Sequence, residues 1–549
     1  TKSAFSMRSV VTCCLLGVFL SPVLSVPVGR KAQPQQRHIK TTANDDPLPA
    51  ISLTSQDATG LRQFVDAHGR IRVFHGVNAV VKGPPWHPAF DKFDFNTSLV
   101  DRDFEILAAA GVTVIRLGTM WAGIEPERGQ YNTTYINVLV EMARNASKYG
   151  IYTLLDMHQD VMSDKFCGEG LPRWAVQPSG SFSFPEPVKG KYKNDPHSGV
   201  PSFQDCQRLA WSRYYFSEAT GTAFQALYDN KDGLLDAWAA MWATVATAFK
   251  GESHILGVEL INEPWAGDVV HDPLLMVPEH ADKENLQRVY DRLATSVWKA
   301  DPDRLVFFAG VTWDNLGNGF SHPPAKVGAK SVLAYHYYEY PMGPQLPNSS
   351  AGEFAIAVRE AGRLGTGAML TEFGEPGLGE GTFQGAAASA EALGQSWACW
   401  EYKTFCKQDW LSPAQDGLFG ACKTGYGGLM WTEAGDVGAP EYIALARPYC
   451  AAVAGRVVGA AFNEEDETYS LQYIHNASAS APTEVKVPTA VRYTAGFRVV
   501  IVPPGAATWK QTDANTFVIT PSGAQPEGTV IAFTVSPASH SSDLQAVVE

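Results

Sequence analysis

Two glutamates in this 549-residue chain each follow directly on a short apolar run. Glu263 follows the run in GVELINEPWAGD, and Glu372 follows the run in AMLTEFGEP. The proline after Glu263 cannot donate a β-ladder hydrogen bond and favours extended backbone at the residue before it. This predicts Glu263 at the last extended position of a buried strand. Two carboxylates about 5–5.5 Å apart can act as acid and nucleophile in retaining glycoside hydrolysis, so the fold would have to bring these strand ends together.

Short apolar runs alternate with helical patterns between about residues 50 and 450, which predicts an α/β fold of the (β/α)8 TIM-barrel type. The predicted strands are 71–78, 112–117, 151–157, 255–262, 305–309, 332–338, 368–372 and 396–400. The clearest helical patterns are 100–110, 135–149, 235–249 and 284–300. Active-site residues of such barrels lie at the carboxyl ends of the strands, so Glu263 on strand four and Glu372 on strand seven are expected at one mouth. A long excursion after strand three, from 160 to about 230, is expected to shape the substrate site.

The chain changes character after about residue 455, where short strand patterns are separated by turn residues. The stretches TYSLQYIH, TEVKVP, FRVVIVPP, TFVIT and TVIAFTVS predict a small C-terminal β-sandwich domain. This domain can bind a ligand or pack against the barrel, and the pattern does not separate the two roles. The predicted organisation is a signal peptide over 1–25, a linker over 26–50, the barrel over 51–450 and the β-sandwich over 455–540.

The amino-terminal segment has the pattern of a secretory leader. Met7 and Arg8 precede an apolar run over 10–20, and small residues near Ser25 suit cleavage after that residue. A membrane anchor is the alternative, but the run is short for a bilayer span. A secreted location, or the lumen of a secretory, digestive or lysosomal compartment, is therefore expected. Sequons for N-glycosylation occur at Asn96, Asn132, Asn145, Asn348 and Asn476.

The cysteines fit an oxidising compartment. Cleavage after Ser25 leaves Cys167, Cys206, Cys399, Cys406, Cys422 and Cys450. An even number in such a compartment predicts disulfides, although the sequence alone allows many pairings. A bridge between Cys167 and Cys206, closing the long excursion, is the first one expected. No CxxC or HxxxH spacing occurs, so no metal site is predicted.

Composition and charge exclude some classes of function. The formal net charge is −14, so the chain has no basic excess with which to neutralise nucleic-acid phosphates. Apolar residues make up 45% of the chain and charged residues 18%, which is typical of a globular protein with a large core. Neither a nucleic-acid partner nor a cofactor is predicted.

Several strand-end residues resemble those of glycoside hydrolase family 5. The NEP motif of strand four and the glutamate of strand seven match the two carboxylates of that family, so the resemblance implies Glu263 as the acid/base and Glu372 as the nucleophile. It also implies supporting roles for Arg116 in VIRLG, His158 in DMHQD and His336 in YHYY.

Longer motifs resemble the endoglycoceramidases within that family. These motifs are GVNAVVKGPPW, LLDMHQDVMSDKFCGEGLPRWAV, NEPWAGD and TEFGEP, and the likeness spans nearly the whole barrel. The resemblance implies an enzyme that cuts between the intact oligosaccharide and the ceramide of a glycosphingolipid. The substrate would be presented with or without a detergent or activator, with transient contact to a membrane surface. The residues implied in substrate binding are Lys82, Asp160, Trp211, Asn262, Tyr338 and Trp400.

These roles agree with elementary chemistry, although each has a structural alternative. Arg116 can keep Glu372 ionised by charge pairing, and Asn262 can donate to a sugar 2-hydroxyl. Trp400 offers an apolar face to a pyranose ring. The alternatives are a structural ion pair for Arg116, a satisfied barrel histidine for His158 and an ordinary core residue for Trp400.

Three other functions share part of this pattern. A β-glucosidase acting on glucosylceramide or steryl glucoside would keep both carboxylates, and so would a secreted β-glucanase or mannanase. A lectin-like barrel without catalysis usually lacks one carboxylate, whereas both are present here.

A ceramide leaving group would also require an apolar wall beside the site. The stretches FGEPGLGEGTF and PWAGDVVHDPLLMVP, which follow the two glutamates, are the candidates. Leu274, Leu275 and Met276 within the second stretch have no helical pattern around them. This is compatible with either an exposed apolar loop or a core-packing loop.

Overall fold

A computed structural model describes most of the chain. The residues described are 43–313, 317–338, 349–374, 380–405, 431, 437, 440–523 and 525–538. The predicted signal peptide and most of the predicted linker lie outside these ranges, as do Asn348, Cys406 and Cys422. No helix within the ranges combines the length and the apolar character needed to cross a membrane.

The strands are numbered along the chain. The amino-terminal strands are β1 (Ile51–Leu53), β2 (Phe64–Asp66) and β3 (Ile71–Arg72). The next eight are β4 (His75–Ala79), β5 (Val114–Gly118), β6 (Tyr152–Asp156), β7 (Ile255–Glu259), β8 (Val306–Ala309), β9 (Ser331–Tyr337), β10 (Gly367–Phe373) and β11 (Ser396–Cys399). The carboxyl-terminal strands are β12 (Tyr449–Val453), β13 (Gly455–Asn463), β14 (Thr468–His475), β15 (Thr483–Lys486), β16 (Phe497–Val502), β17 (Ala507–Asp513), β18 (Thr516–Pro521) and β19 (Val530–Pro537).

Helices connect most of the successive strands from β4 to β11. They are α1 (Asp101–Ala109), α2 (Trp121–Ile124), α3 (Thr133–Ser147), α4 (Phe203–Cys206), α5 (Glu218–Tyr228), α6 (Leu234–Ala248), α7 (Gln287–Ala300), α8 (Ser349–Leu364), α9 (Glu380–Ala392) and α10 (Pro440–Leu445). The connection from β8 to β9 has only short 3-10 turns in its described residues. The helix α3 illustrates the local logic: its inner face is apolar, and the side chain of Asn132 caps it by accepting from the Tyr135 amide.

The strands β4 to β11 form a closed barrel in which every neighbouring pair is parallel. The predicted (β/α)8 architecture is therefore confirmed. Every residue of β4, β5, β6 and β7 is buried, as expected for parallel strands that are covered on both faces. Aromatic side chains fill part of the interior, including Phe74, whose ring meets that of Tyr152 edge-on at 5.3 Å. The carboxyl end of the barrel is lined instead by polar side chains.

Two antiparallel sheets accompany the barrel. One has the order β1-β2-β3-β12-β15-β18-β17 and the other β13-β14-β19-β16. Their apolar residues form a separate core that includes Tyr473, Phe517 and Phe533. The first sheet contains strands from both ends of the described chain, so residues 51–72, predicted as the start of the barrel, belong to this sheet.

The predicted first barrel strand, 71–78, is in fact two strands. Ile71–Arg72 pairs with β12, and His75–Ala79 enters the barrel. The chain changes sheet between these strands, because the Val73 amide donates to the Ala451 carbonyl while the Phe74 amide donates to the Ser396 hydroxyl. The sequence of this run carries no turn residue between Arg72 and His75 that would mark the change.

The predicted bridge between Cys167 and Cys206 is present and closes 39 residues of the excursion. The expectation that the other cysteines also pair is wrong for Cys399 and Cys450, which are buried free thiols. Cys399 ends β11 in the barrel core and Cys450 lies in β12 in the sandwich core, so apolar packing accounts for both.

Candidate active site

The two glutamates meet at the carboxyl end of the barrel. One carboxylate oxygen of Glu263 lies within 4.8 Å of one of Glu372. His336, at the end of β9, lies between them, with its Nδ1 atom 3.0 Å from Glu263 Oε1 and 3.9 Å from Glu372 Oε1. Burial alone would lower the pKa of His336, but the two carboxylates outweigh it and raise that pKa above its ordinary value. The carboxylates on either side thus favour a protonated imidazole at this position.

Glu263 does not occupy the extended position predicted for it. The strand β7 ends at Glu259, and Glu263 follows it with a left-handed backbone, at φ 41°. The proline at 264 favours extended backbone before it, but tertiary hydrogen bonds override this preference. The side-chain amide of Gln159 donates to the carbonyl oxygens of both Asn262 and Glu263.

Glu372 is held from two sides within β10. The Tyr338 hydroxyl donates to Glu372 Oε1 at 2.5 Å, and Arg116 donates to Glu372 Oε2 at 3.1 Å. Both lone-pair regions of the carboxylate thus face donors. The two contacts hold Glu372 in one orientation.

Arg116 lies fully buried in β5 and faces three carboxylates. Besides Glu372, its guanidinium contacts Glu259 at 2.8 and 3.0 Å and Asp156 at 2.9 Å. Burial alone would lower the pKa of Arg116, but these carboxylates raise it above the ordinary value. Arg116 also donates to Asn78, whose own amide donates to strand-end carbonyls of β10 and β11.

A second buried charge cluster borders the mouth at the carboxyl ends of the barrel strands β4 and β6. The Lys82 ammonium contacts Asp160 and lies 3.5 Å from Glu169. Burial alone would raise the pKa of Asp160, but Lys82 lowers it below the ordinary value. Burial raises the pKa of Glu169 well above its ordinary value, so the two neighbouring carboxyl groups differ in acidity.

Trp400 covers this cluster with its ring. The Lys82 Nζ atom lies 4.8 Å from the ring centroid, and the His158 imidazole stacks on the same ring at 5.3 Å. The Nδ1 atom of His158 is 2.8 Å from Asp156, which links the cluster to the carboxylates around Arg116. Burial alone would lower the pKa of His158, but Asp156 and Asp160 raise it.

The structure brings together most of the residues predicted for the site. Trp211 is the exception, because it begins a 3-10 turn in the excursion and meets Tyr215 edge-on at 6.0 Å. The Tyr215 hydroxyl in turn accepts from the Val161 amide in the loop after β6. The Tyr215 ring therefore lies between Trp211 and that part of the site.

The sequence reasoning missed six buried polar residues of the site: Asn78, Asp156, Gln159, Glu169, Glu259 and Glu401. Two signals were available, because Glu259 stands in an otherwise apolar strand and Glu401 directly follows Trp400 at a strand end. Burial raises the pKa of Glu401 well above its ordinary value.

The loop after Glu263 resolves the alternatives for the apolar wall. Pro273–Met276 forms a 3-10 turn in which Leu274 is 61% exposed and Leu275 only 4%. Leu275 belongs to the core, and Met276 is partly buried against it. Each of the two alternatives therefore holds for part of the turn, because Leu274 faces outwards whereas Leu275 and Met276 pack against the core. In the other candidate stretch, residues 375–379 lie outside the described ranges.

Within the part of the chain that the structure describes, two groups of side chains have a spacing that could hold a cation. They are His158 with Asp160 and Glu169, and Glu263 with His336 and Glu372. The Lys82 ammonium already contacts Asp160 and neighbours Glu169, so the first group has a positive charge built in. In the second group, Arg116 and Tyr338 contact Glu372.

The comparison of this chain with protein families agrees with the site. The model of the cellulase family, glycosyl hydrolase family 5, matches residues 81–405. The chain belongs to glycoside hydrolase family 5. A second model, the family 5 C-terminal domain, matches residues 447–535 and so includes β12, which the sequence interpretation left out of the sandwich.

Named members of family 5 resemble this glycosidase over most of its length. It is 38% identical to a protein named endoglycoceramidase from Cyanea nozakii, over 90% of this chain and 95% of that one. It is 40% identical to an endoglycoceramidase from Hydra vulgaris, over 80% of this chain and 82% of that one. The predicted resemblance is therefore confirmed. The structure of endo-glycoceramidase II from a Rhodococcus species has the same fold, with a TM-score of 0.66 at 21% identity, over 86% of this chain and 99% of that one.

Proposed function

We propose that the protein is a secreted, retaining endo-β-glycosidase that cleaves the bond between the intact oligosaccharide and the ceramide of glycosphingolipids. The observation that carries this proposal is the approach of Glu263 and Glu372 to within 4.8 Å at the barrel mouth. Retaining enzymes place their carboxyl groups about 5–5.5 Å apart, whereas inverting enzymes need about 6.5–9.5 Å to admit a water molecule.

In the first step Glu372 attacks the anomeric carbon of the sugar joined to ceramide. The bond from that carbon to the ceramide oxygen breaks, and Glu263 gives its proton to the departing oxygen. Arg116 and Tyr338 hold the Glu372 carboxylate in one orientation for the attack. The products of this step are free ceramide and a glycosyl ester of Glu372.

In the second step Glu263, now ionised, removes a proton from a water molecule. The resulting oxygen attacks the same anomeric carbon and releases the oligosaccharide and the Glu372 carboxylate. Two inversions leave the original β configuration. The Nδ1 atom of His336 lies 3.0 Å from Glu263 Oε1, within hydrogen-bonding distance of the carboxylate that acts in this step.

The identity of the substrate is supported by the named relatives and by the polarity of the site. Two relatives named endoglycoceramidase match at least 80% of this chain. The cluster of Lys82, Asp160 and Glu169 presents charged donors and acceptors beside the Trp400 ring, as sugar hydroxyls and a pyranose face require. We assign this side of the mouth to the glycan.

Transient contact with a membrane surface forms part of the proposal. Large apolar residues are exposed on the loops that follow the barrel strands β6 and β7, namely Phe182, Phe216, Leu274 and Val277. Exposed apolar residues of this kind on the face that carries the site can insert among lipids, from which ceramide must be drawn. A detergent or an activator would replace this contact in solution.

The proposed location is outside the cell or in the lumen of a secretory, digestive or lysosomal compartment. The bridge between Cys167 and Cys206 supports it, because disulfides persist in oxidising compartments. Expression in a secretory host tests the location. The mature protein should begin near Val26 and carry N-glycans at sequons such as the exposed Asn132. Retention of the leader or an unglycosylated product would contradict it.

Product analysis tests the function. A ganglioside and glucosylceramide are incubated separately with the enzyme and with Glu372→Gln, and the products are separated by thin-layer chromatography. We expect an intact oligosaccharide and ceramide from the ganglioside, and neither product from the variant. Efficient release of glucose from glucosylceramide without cleavage of the ganglioside would indicate the β-glucosidase alternative. Cleavage of soluble glucans alone would indicate the glucanase alternative.

A further inference from the structure

The backbone at Glu263 is held in a conformation that its sequence disfavours. Its φ of 41° lies in the left-handed region, which residues other than glycine rarely adopt. The following Pro264 further disfavours departure from extended backbone. Such a conformation persists only where surrounding contacts impose it.

Gln159 supplies these contacts from the loop after β6. Its Nε2 atom donates to the Asn262 carbonyl at 2.9 Å and to the Glu263 carbonyl at 3.0 Å. Its Oε1 atom accepts from the Met162 amide at 2.9 Å, so the side chain is fixed at both ends. The contact is reciprocal, because the Asn262 side-chain amide donates to the Gln159 carbonyl at 3.1 Å. Gln159 is completely buried.

This role requires a donor and an acceptor on one neutral side chain. A glutamate at position 159 would turn a carboxylate oxygen towards two carbonyl oxygens, and an apolar residue would leave both carbonyls without this donor. We infer that Gln159 is a positioning residue for proton transfer: it holds the Asn262–Glu263 backbone so that the Glu263 carboxyl reaches the glycosidic oxygen. The inference rests on the proposed function, in which Glu263 is the acid/base.

A misplaced acid has a kinetic signature that general structural damage lacks. The proton matters when the leaving group is a poor one, and it matters little when the leaving group departs readily as an anion. Displacement of Glu263 should therefore slow the cleavage of a phenyl lactoside but hardly affect that of a 2,4-dinitrophenyl lactoside. Loss of folded enzyme would slow both equally.

The experiment compares Gln159→Met with the wild type on these two lactosides. Methionine has a similar length and no N–H donor. We expect kcat/KM for the phenyl lactoside to fall by about 100-fold, at the lower end of the contribution of general acid catalysis. The value for the dinitrophenyl lactoside should stay within about threefold, since that leaving group needs no proton.

Gln287→Met is the matched control. Gln287 also anchors a loop through its side chain, by accepting from the Ser321 amide and donating to the His322 carbonyl. It lies on α7, outside the site described above. This variant should lose equally little on both lactosides. If Gln159→Met fails to fold, Gln159→Glu provides the same comparison, because it keeps the acceptor for Met162 and can offer at most one donor, and only when protonated, to the two carbonyl oxygens.

Equal losses on the two lactosides, or no loss, in the folded Gln159 variants would overturn the inference. Glu263→Ala distinguishes this outcome from a failure of the proposed function. If Glu263→Ala discriminates between the lactosides and the Gln159 variants do not, only the positioning role of Gln159 is wrong. If Glu263→Ala does not discriminate either, the acid/base assignment itself is wrong.

Discussion

Leu274 and Leu275 are neighbours in one 3-10 turn, and serine at each position should have a different effect. Leu274 is 61% exposed on the loop after β7, whereas Leu275 is 4% exposed in the core. Complete burial of a leucine side chain contributes about 1.5–3 kcal/mol. If the exposed 61% of Leu274 enters a lipid surface, its loss should cost about 1–2 kcal/mol of membrane binding, or about 5- to 20-fold in affinity.

The assay measures hydrolysis of lactosylceramide in vesicles and of a soluble aryl lactoside by the same enzyme samples. Leu274→Ser should lose about 5- to 20-fold on vesicles at subsaturating lipid and nothing on the aryl lactoside. Leu275→Ser should lower the free energy of unfolding by about 2–5 kcal/mol, as removal of a core leucine does, and any loss of activity should be the same on both substrates. Equal losses for Leu274→Ser on the two substrates, or unchanged sedimentation with vesicles, would refute the membrane contact.

Three further predictions concern the chemistry and the stability of the fold. Glu372→Gln should abolish turnover, and a 2-fluoro glycoside should label Glu372 in the wild type. Glu263→Ala should still cleave activated aryl glycosides. A product of inverted anomeric configuration, detected by NMR, would contradict this mechanism. Replacing Cys167 and Cys206 together by serine should lower the free energy of unfolding by about 4 kcal/mol, from the loop-closure entropy of a loop of this length; an unchanged denaturation midpoint would refute that estimate. The pKa of the partly buried Glu484 is lowered to about 2, chiefly by the neighbouring Lys486 ammonium, so this carboxylate stabilises the fold above its ordinary pKa and the stabilisation is lost as the pH falls towards 2. Glu484→Gln should therefore have a lower free energy of unfolding than the wild type near pH 6, and the difference between the two should narrow on acidification. A difference that does not change with pH would show that the charge of Glu484 does not contribute to stability.

Much of the barrel could be predicted from local patterns. Short apolar runs become strands that are buried on both faces, and amphipathic runs such as the one in α3 become helices that cover them. Once strands and helices alternate, the carboxyl ends of the strands must share one mouth. Glu263 and Glu372 were therefore predictable as neighbours although 109 positions separate them in the chain.

Local patterns failed where a residue's environment comes from a distant segment. The first predicted strand divides because Ala451 and Ser396 bind adjacent amides of one apolar run. The backbone at Glu263 departs from the preference imposed by Pro264 because Gln159 binds its carbonyl. Neither partner is near in sequence, so no periodicity signals the contact.

The sequence by itself placed Glu263 and Glu372 after apolar runs and so at one end of the fold, because the order of strands and helices depends on local hydrophobic patterns. Tertiary structure decided how those side chains are paired. Closure of the barrel places Arg116 against three carboxylates from other strands and Lys82 against Asp160. It also separates Leu274, which faces solvent, from Leu275, which packs in the core. Pairing and exposure depend on distances between segments far apart in the chain, and only the closed barrel sets those distances.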